Sequence, residues 1–244
     1  MLASEIPKDN LATNGYAIIN DFFSNTEINH LLNILSAIDI SKPTFRKTND
    51  LFAIRQFLKE VPQAKDIIFN TRFKSLLRTL FGGDFFVIKS IYFDKPEESN
   101  WFVAYHQDLT ISVDKKIPIA GFGPWTTKHN QFAVQPPLEY LENIFTVRIH
   151  LDDTNEGNGA LKVIPKSHLK SIYRPENIDW TTETEEICCV NKGGIMFMKP
   201  LLLHASSRTT NHQKRRVIHI EFSSKQLPEG LQWSEYLSFM PQSD

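Results

Sequence analysis

The chain has 244 residues, is 41% hydrophobic and 23% charged, and carries a formal net charge of −1. That balance is ordinary for a globular protein and leaves no electrostatic footprint for nucleic acid or an anionic membrane. A chain of this length buries roughly 70–75% of its unfolded surface and needs no staples, so a single domain spanning residues 1–244 is expected.

The only cysteines, Cys188 and Cys189, are neighbours. Adjacent residues do not reach ordinary disulfide geometry, which points to a reducing compartment. The first residues show no basic segment followed by an apolar core, and no apolar run approaches transmembrane length. A cytoplasmic location with no membrane partner is the expectation.

Taken in order, Gly15 to Ile19 reads as a first strand. Ser24-Asn25-Thr26-Glu27 has capping-box spacing and opens a helix with Ile28, Leu31, Leu32, Leu35 and Ile38 on a helical period. Ser41 to Asn49 is polar and irregular, and Leu51 to Leu58 is ambiguous between strand and helix. After Pro62 a helix is predicted through Ile67, Phe73, Leu77 and Phe81, ended by Gly82-Gly83. From Phe85 the character turns to β. Strands are expected at 85–93, at 103–113 and at 144–151, the last returning through the Asp152–Gly159 turn to 160–165 as its partner. Further strands are expected at 195–198, before His204, and at 215–222. The stretch 115–137 between them is a long loop whose Phe122, Trp125 and Phe132 favour a lid over disorder. A helix-rich part, 1–84, followed by a strand-rich part, 85–233, predicts a mainly β sandwich with flanking helices.

His106-Gln107-Asp108 lies in the 103–113 run. Alternation along a strand would aim His106 and Asp108 into one space and turn Gln107 away. His204 is the candidate third donor. Two imidazoles and one carboxylate on one face of a metal, without thiolates, suit Fe(II) and leave positions open. Zinc is the rival, because the same donors make catalytic zinc sites, although the helical His-Glu-x-x-His pattern is missing. Arg215 could bind a carboxylate bidentately. Ser206, two residues from His204, could add a hydrogen bond, and Arg216 should point the opposite way. His150-Leu151-Asp152 is a second His-x-Asp, but its aspartate opens an acidic turn, where capping is the simpler task.

These pieces resemble the phytanoyl-CoA dioxygenase-like family of Fe(II)/2-oxoglutarate oxygenases. The resemblance runs from Gly15 to about Trp233. It is carried by Asp94-Lys95-Pro96, His106-Gln107-Asp108, Arg148-Ile149-His150-Leu151-Asp152-Asp153, Asn158-Gly159-Ala160-Leu161, Val163-Ile164-Pro165-Lys166-Ser167-His168 and His204-Ala205-Ser206 with Arg215. It implies a double-stranded β-helix (jelly-roll) core, iron on His106, Asp108 and His204, and 2-oxoglutarate on Arg215. The implied activity is hydroxylation of a small molecule using O2, with 2-oxoglutarate decarboxylated to succinate. The alternatives are a non-catalytic jelly-roll binding protein and a zinc hydrolase. The family often has glycine where Lys166 stands, a harmless turn variation on this reading. The phytanoyl-CoA enzyme itself has tryptophan where Arg148 stands, which argues against its substrate here.

Lys89 either reaches a 2-oxoglutarate carboxylate or is a solvated edge residue. Arg148 touches cosubstrate or substrate, or forms a structural pair. Trp125 and Phe122 are candidates to roof the site. His129, His168, His212 and His219 read as surface or core residues, and Met196 and Met198 as core filler.

Overall fold

A computed structural model describes residues 5–39, 45–48, 52–83, 85–128 and 131–239. His129, Leu51 and most of the irregular 41–49 stretch lie outside the described residues.

The chain begins with α1 (Glu5–Asn14), β1 (Tyr16–Ile19) and α2 (Asn25–Ser36). The capping box of α2 is present: Ser24 Oγ accepts from the Glu27 amide, and Glu27 reaches back to the Ser24 amide at 2.7 Å. Next come β2 (Phe45–Lys47), β3 (Phe52–Arg55) and α3 (Phe57–Glu60). The ambiguous stretch is therefore strand and then helix, with the break at Gln56, which takes a left-handed φ of 51°. The helix expected after Pro62 is two helices, α4 (Ala64–Ile68) and α5 (Thr71–Phe81), because Asn70 caps the second by accepting from the Phe73 amide. The remaining elements are β4 (Phe86–Lys95), β5 (Val103–His106), β6 (Ile111–Val113), β7 (Trp125–Lys128), β8 (Gln131–Val134), α6 (Leu138–Asn143) and β9 (Phe145–His150). They are followed by β10 (Leu161–Val163), β11 (Glu186–Cys188), β12 (Ile195–Met198), β13 (His204–Ser206) and β14 (Arg215–Ser223).

Among the described residues these strands form an antiparallel seven-stranded sheet, β1-β12-β9-β14-β4-β3-β2, a four-stranded sheet, β11-β10-β13-β5, and a three-stranded sheet, β6-β8-β7. From β4 onward the chain passes repeatedly between the two larger sheets: β4, β9, β12 and β14 lie in one, and β5, β10, β11 and β13 in the other. That alternation is the double-stranded β-helix. The helix-rich first part contributes β1, β2 and β3 to the large sheet.

Alternation along each strand of the large sheet separates two environments. Phe145, Val147 and Ile149 of β9, and Ile218, Ile220 and Phe222 of β14, pack with Ile28, Leu31, Phe73 and Leu77 of the helices in one apolar core. Burial of each such side chain stabilises by about 1.5–3 kcal/mol. The intervening residues Thr146, Arg148, His150, His219 and Glu221 are also buried, yet polar, and they face the interior between the sheets.

Two expectations need correcting. β10 does not pair with β9; it lies between β11 and β13 in the smaller sheet, because the Asp152–Gly159 turn carries the chain from one sheet to the other rather than closing a hairpin. The 115–137 stretch is not an irregular lid, since β7 and β8 within it pair with each other and with β6. Met196 and Met198 are core residues, as expected.

Candidate metal centre and anion pocket

β5 and β13 are adjacent and antiparallel, with His106 and His204 as direct partners. Both rings are tied by Nδ1 to the backbone carbonyl two residues earlier, His106 to Ala104 and His204 to Leu202. Donation from Nδ1 leaves each Nε2 lone pair free, the orientation that metal-ligating histidines need.

Asp108 reaches the same place by a route alternation did not foresee. β5 ends at His106, so Asp108 is not on the strand. The buried Gln107 amide donates to Leu201 O at 2.5 Å and Ser171 O at 2.9 Å, and accepts from the Tyr173 amide. The Asp108 amide then donates to Pro200 O. These bonds turn the chain so that Asp108 Oδ1 lies 3.8 Å from His106 Nε2 and Oδ2 lies 3.9 Å from His204 Nε2. One donor atom from each residue lies within 4.8 Å of the others. Burial opposes ionisation of Asp108, but His204 and Lys89, with His219 and His106, overcome it and hold the carboxyl at about 2. Burial lowers His204 to about 4. An ionised carboxylate and a neutral imidazole are the forms that coordinate a cation.

The three donors open on a cavity of about 240 Å³ lined also by Phe93, Trp101, Arg148, Ser206, Arg215 and His219. Arg215 opens β14, is 5% exposed, and donates to Gly159 O. Arg148 bonds His219 Nδ1 at 3.2 Å, and its Nε is buried without a hydrogen-bond partner. Neither guanidinium has an ion-pair partner among the described residues, and burial together with their mutual repulsion lowers the pKa of Arg215. Two buried, unpaired cations beside three metal-type donors form a pocket that fits a chelating dicarboxylate. The donor set fits iron equally, with no thiolate present.

Lys89 departs from both readings made for it. It lies on β4, which is flanked by β14 and β3 and so is not an edge, and it is paired with Glu221 at 2.7 Å. It lines a neighbouring cavity rather than this one. Phe122 and Trp125 do not roof the triad: they pack in a separate apolar cluster with Tyr140 and Leu141. The second His-x-Asp is structural. Asp152 accepts from Arg216 Nε, Nη2 and N, at 2.6–2.9 Å, while His150 Nδ1 meets Thr154 Oγ1. Arg216 accordingly points away from the cavity. His168 bonds Ala12 O, and the exposed His212 bonds Glu98. Lys166 is not a neutral replacement for glycine, since its φ is 68°, where a β-carbon is crowded.

His219, expected as a surface or core residue, instead lines the triad cavity and bonds both Arg148 and Glu221. A signal existed. In Arg215 to Phe222 the apolar Ile218, Ile220 and Phe222 mark the core face, which leaves Arg215, His219 and Glu221 together on the other.

The Phytanoyl-CoA dioxygenase (PhyH) family model matches residues 11–217. The chain belongs to this family. As a phytanoyl-CoA dioxygenase family member it is an oxygenase-type enzyme. Its fold is similar to that of EctD from S. alaskensis, solved with 2-oxoglutarate and 5-hydroxyectoine (17% identity, TM-score 0.70, covering 92% of this chain and 78% of that one). It is also similar to the epimerase SnoN in complex with Fe3+, alpha ketoglutarate and nogalamycin RO (13% identity, TM-score 0.67, 99% and 96%). A third similar structure is AviO1 from Streptomyces viridochromogenes Tue57 (15% identity, TM-score 0.64, 93% and 98%). At these identities the family member and its structural neighbours share a fold. No curated protein matches the sequence significantly. No described helix is long and apolar enough to cross a membrane.

Proposed function

We infer that the protein is an Fe(II)- and 2-oxoglutarate-dependent dioxygenase that hydroxylates a small molecule. The overall conversion is R–H, 2-oxoglutarate and O2 to R–OH, succinate and CO2. The observation that carries this reading is the convergence of His106 Nε2, Asp108 and His204 Nε2 beside two buried guanidiniums that have no ion-pair partner among the described residues. Similar folds solved with 2-oxoglutarate, and with Fe3+ and alpha ketoglutarate, support it.

His106, Asp108 and His204 hold the iron, which supplies the redox chemistry that couples O2 to keto-acid decarboxylation. The Nδ1 hydrogen bonds of the two histidines fix their tautomers and aim Nε2. Arg215 binds the distal carboxylate of 2-oxoglutarate, with Ser206 on the same face of β13 adding a hydroxyl. Arg148, held by His219, offers its unpaired Nε to the cosubstrate. Phe93, Trp101 and Leu161 supply apolar wall to this pocket. A carboxylate at position 108 favours hydroxylation over halogenation, in which that ligand gives way to halide.

Anaerobic addition of Fe(II) and 2-oxoglutarate tests the reading. The visible absorption of an iron-chelated keto acid is expected, and its absence overturns the proposal in favour of a non-catalytic binding protein. Enzymatic turnover with zinc but not with iron would instead support a hydrolase.

A further inference from the structure

Beside the triad cavity lies a second hollow of about 500 Å³, lined by Arg55, Lys89, Ser112, Thr126, Gln131 and Phe132. Its volume is within the range that holds whole small-molecule ligands. The three-stranded sheet forms one wall, and β3 and β4 form the other. The two cavities adjoin along the inner face of β4: Phe93 lines the triad cavity, while Ile91 and Lys89 line the second. Residues two apart on a strand share a face at a spacing of about 6–7 Å.

A hydrogen-bonded chain also joins them. It runs from Arg148 Nη1 to His219 Nδ1 (3.2 Å), from His219 Nε2 to Glu221 Oε1 (3.0 Å), and from there to Lys89 Nζ (2.7 Å). Arg148 and His219 border the triad, and Lys89 borders the second cavity.

Of the two cations on the second cavity's wall, one is paired with a carboxylate and the other is not. Lys89 is neutralised by Glu221. Glu235 accepts from Ser90 N and Oγ, and Asp114 Oδ1 accepts from the Gln232 amide. Arg55 donates only to the neutral amide of Gln131, at 3.1 Å, and has no ion-pair partner among the described residues. A single unpaired, planar guanidinium matches a monoanionic carboxylate, whereas a phosphate dianion would call for a second free cation. Ile91, Val113, Phe132 and Ala133 supply apolar wall for the rest of a ligand.

We propose that this cavity binds the primary substrate, a compact small molecule whose carboxylate pairs with Arg55 while its apolar body extends toward the triad. The inference rests on the oxygenase reading for what happens to that molecule. Binding at Arg55 does not depend on it.

The test uses the full chain saturated with Zn(II), which is redox-inert, and 2-oxoglutarate. Ligand-observed NMR measures binding of cyclohexanecarboxylate, phenylacetate and indole-3-acetate, each against its primary amide. At least one acid is expected to bind about tenfold or more tightly than its amide, and Arg55→Gln to remove that preference, the size of a lost charge-assisted hydrogen bond. Arg55→Lys should retain part of it, and the 2-oxoglutarate affinity of both variants should be unchanged. Should Arg55→Gln fail to fold, Gln131→Leu replaces it and is expected to weaken the acid. Equal binding of acids and amides, binding unaffected at Arg55, displacement of the acid by excess 2-oxoglutarate, or no binding by any acid would each overturn the proposal. Acid binding that persists in a protein unable to bind 2-oxoglutarate refutes the oxygenase reading while leaving the cavity assignment standing.

Discussion

His106 and His204 face one another as direct cross-strand partners, with ring centroids 4.2 Å apart. Each is locked by Nδ1 to a backbone carbonyl two residues earlier at 2.9 Å, so neither ring can turn away without breaking a hydrogen bond. Their Nε2 atoms and Asp108 form one unit, and removing any member should remove the metal. Wild-type protein with metal at 100 times Kd gains about 2.7 kcal/mol, which for a chain of this size raises Tm by roughly 5–10 °C. His204→Ala and Asp108→Ala should show no such shift in a thermal melt, and 2-oxoglutarate turnover should fall by about 100-fold or more. Unchanged turnover in Asp108→Ala would remove that carboxylate from the centre.

Arg215→Gln should raise KM for 2-oxoglutarate by roughly 30-fold or more, the cost of leaving a desolvated carboxylate without its partner. Metal affinity, read by titration without the cosubstrate, should stay close to wild type. Parallel loss of both would mean that Arg215 supports the fold through Gly159 rather than holding the ligand.

Asp152 is the control for the metal pair. It accepts three hydrogen bonds from Arg216, and Asp152→Ala should cost about 1.5–3 kcal/mol in denaturant unfolding. Metal binding should survive. Loss of the metal in this variant would make His150 and Asp152 the ligands instead.

Lys95 is 1% exposed, and its Nζ donates to Ser207 O at 2.6 Å. Burial, followed by repulsion from Arg215, lowers its pKa from 10.5 to about 8. The unfolded chain keeps this proton to higher pH than the folded one, so stability rises with pH between about 8 and 10.5. Below that window both states are protonated and the destabilisation is constant. Lys95→Met should flatten the rise in a pH series of denaturant melts; an identical slope in both proteins would argue against the lowered pKa.

Lys166 sits at φ 68° with its side chain exposed. Lys166→Gly should relieve backbone crowding and stabilise by up to about 1 kcal/mol, since glycine's greater freedom when unfolded offsets part of the gain. A clear loss of stability would show that the lysine side chain contributes contacts of its own.

What could be read in the residues followed the range of the forces involved. The start of α2 was legible because Ser24 and Glu27 satisfy each other within one turn. The strands β9, β12 and β14 announced themselves as apolar runs, and His106, Asp108, His204 and Arg215 as residue types suited to a metal and an anion. Choice of strand partner was not legible, because β10 joins β13 through contacts far away in the chain. The detour that brings in Asp108 depends on Gln107 meeting Ser171, Tyr173 and Leu201. No local pattern encodes those meetings. The pairing of Lys89 with Glu221 was equally hidden, since it follows from the register of β4 against β14.

The pairing of β5 with β13 also dictates an order of events. Two of the three donors lie before the middle of the chain and the third lies near its end, so a growing or partly folded polypeptide presents no complete centre. Closing so long a loop is slow compared with forming local helices. An ion held by all three donors would therefore be captured only after the smaller sheet has closed.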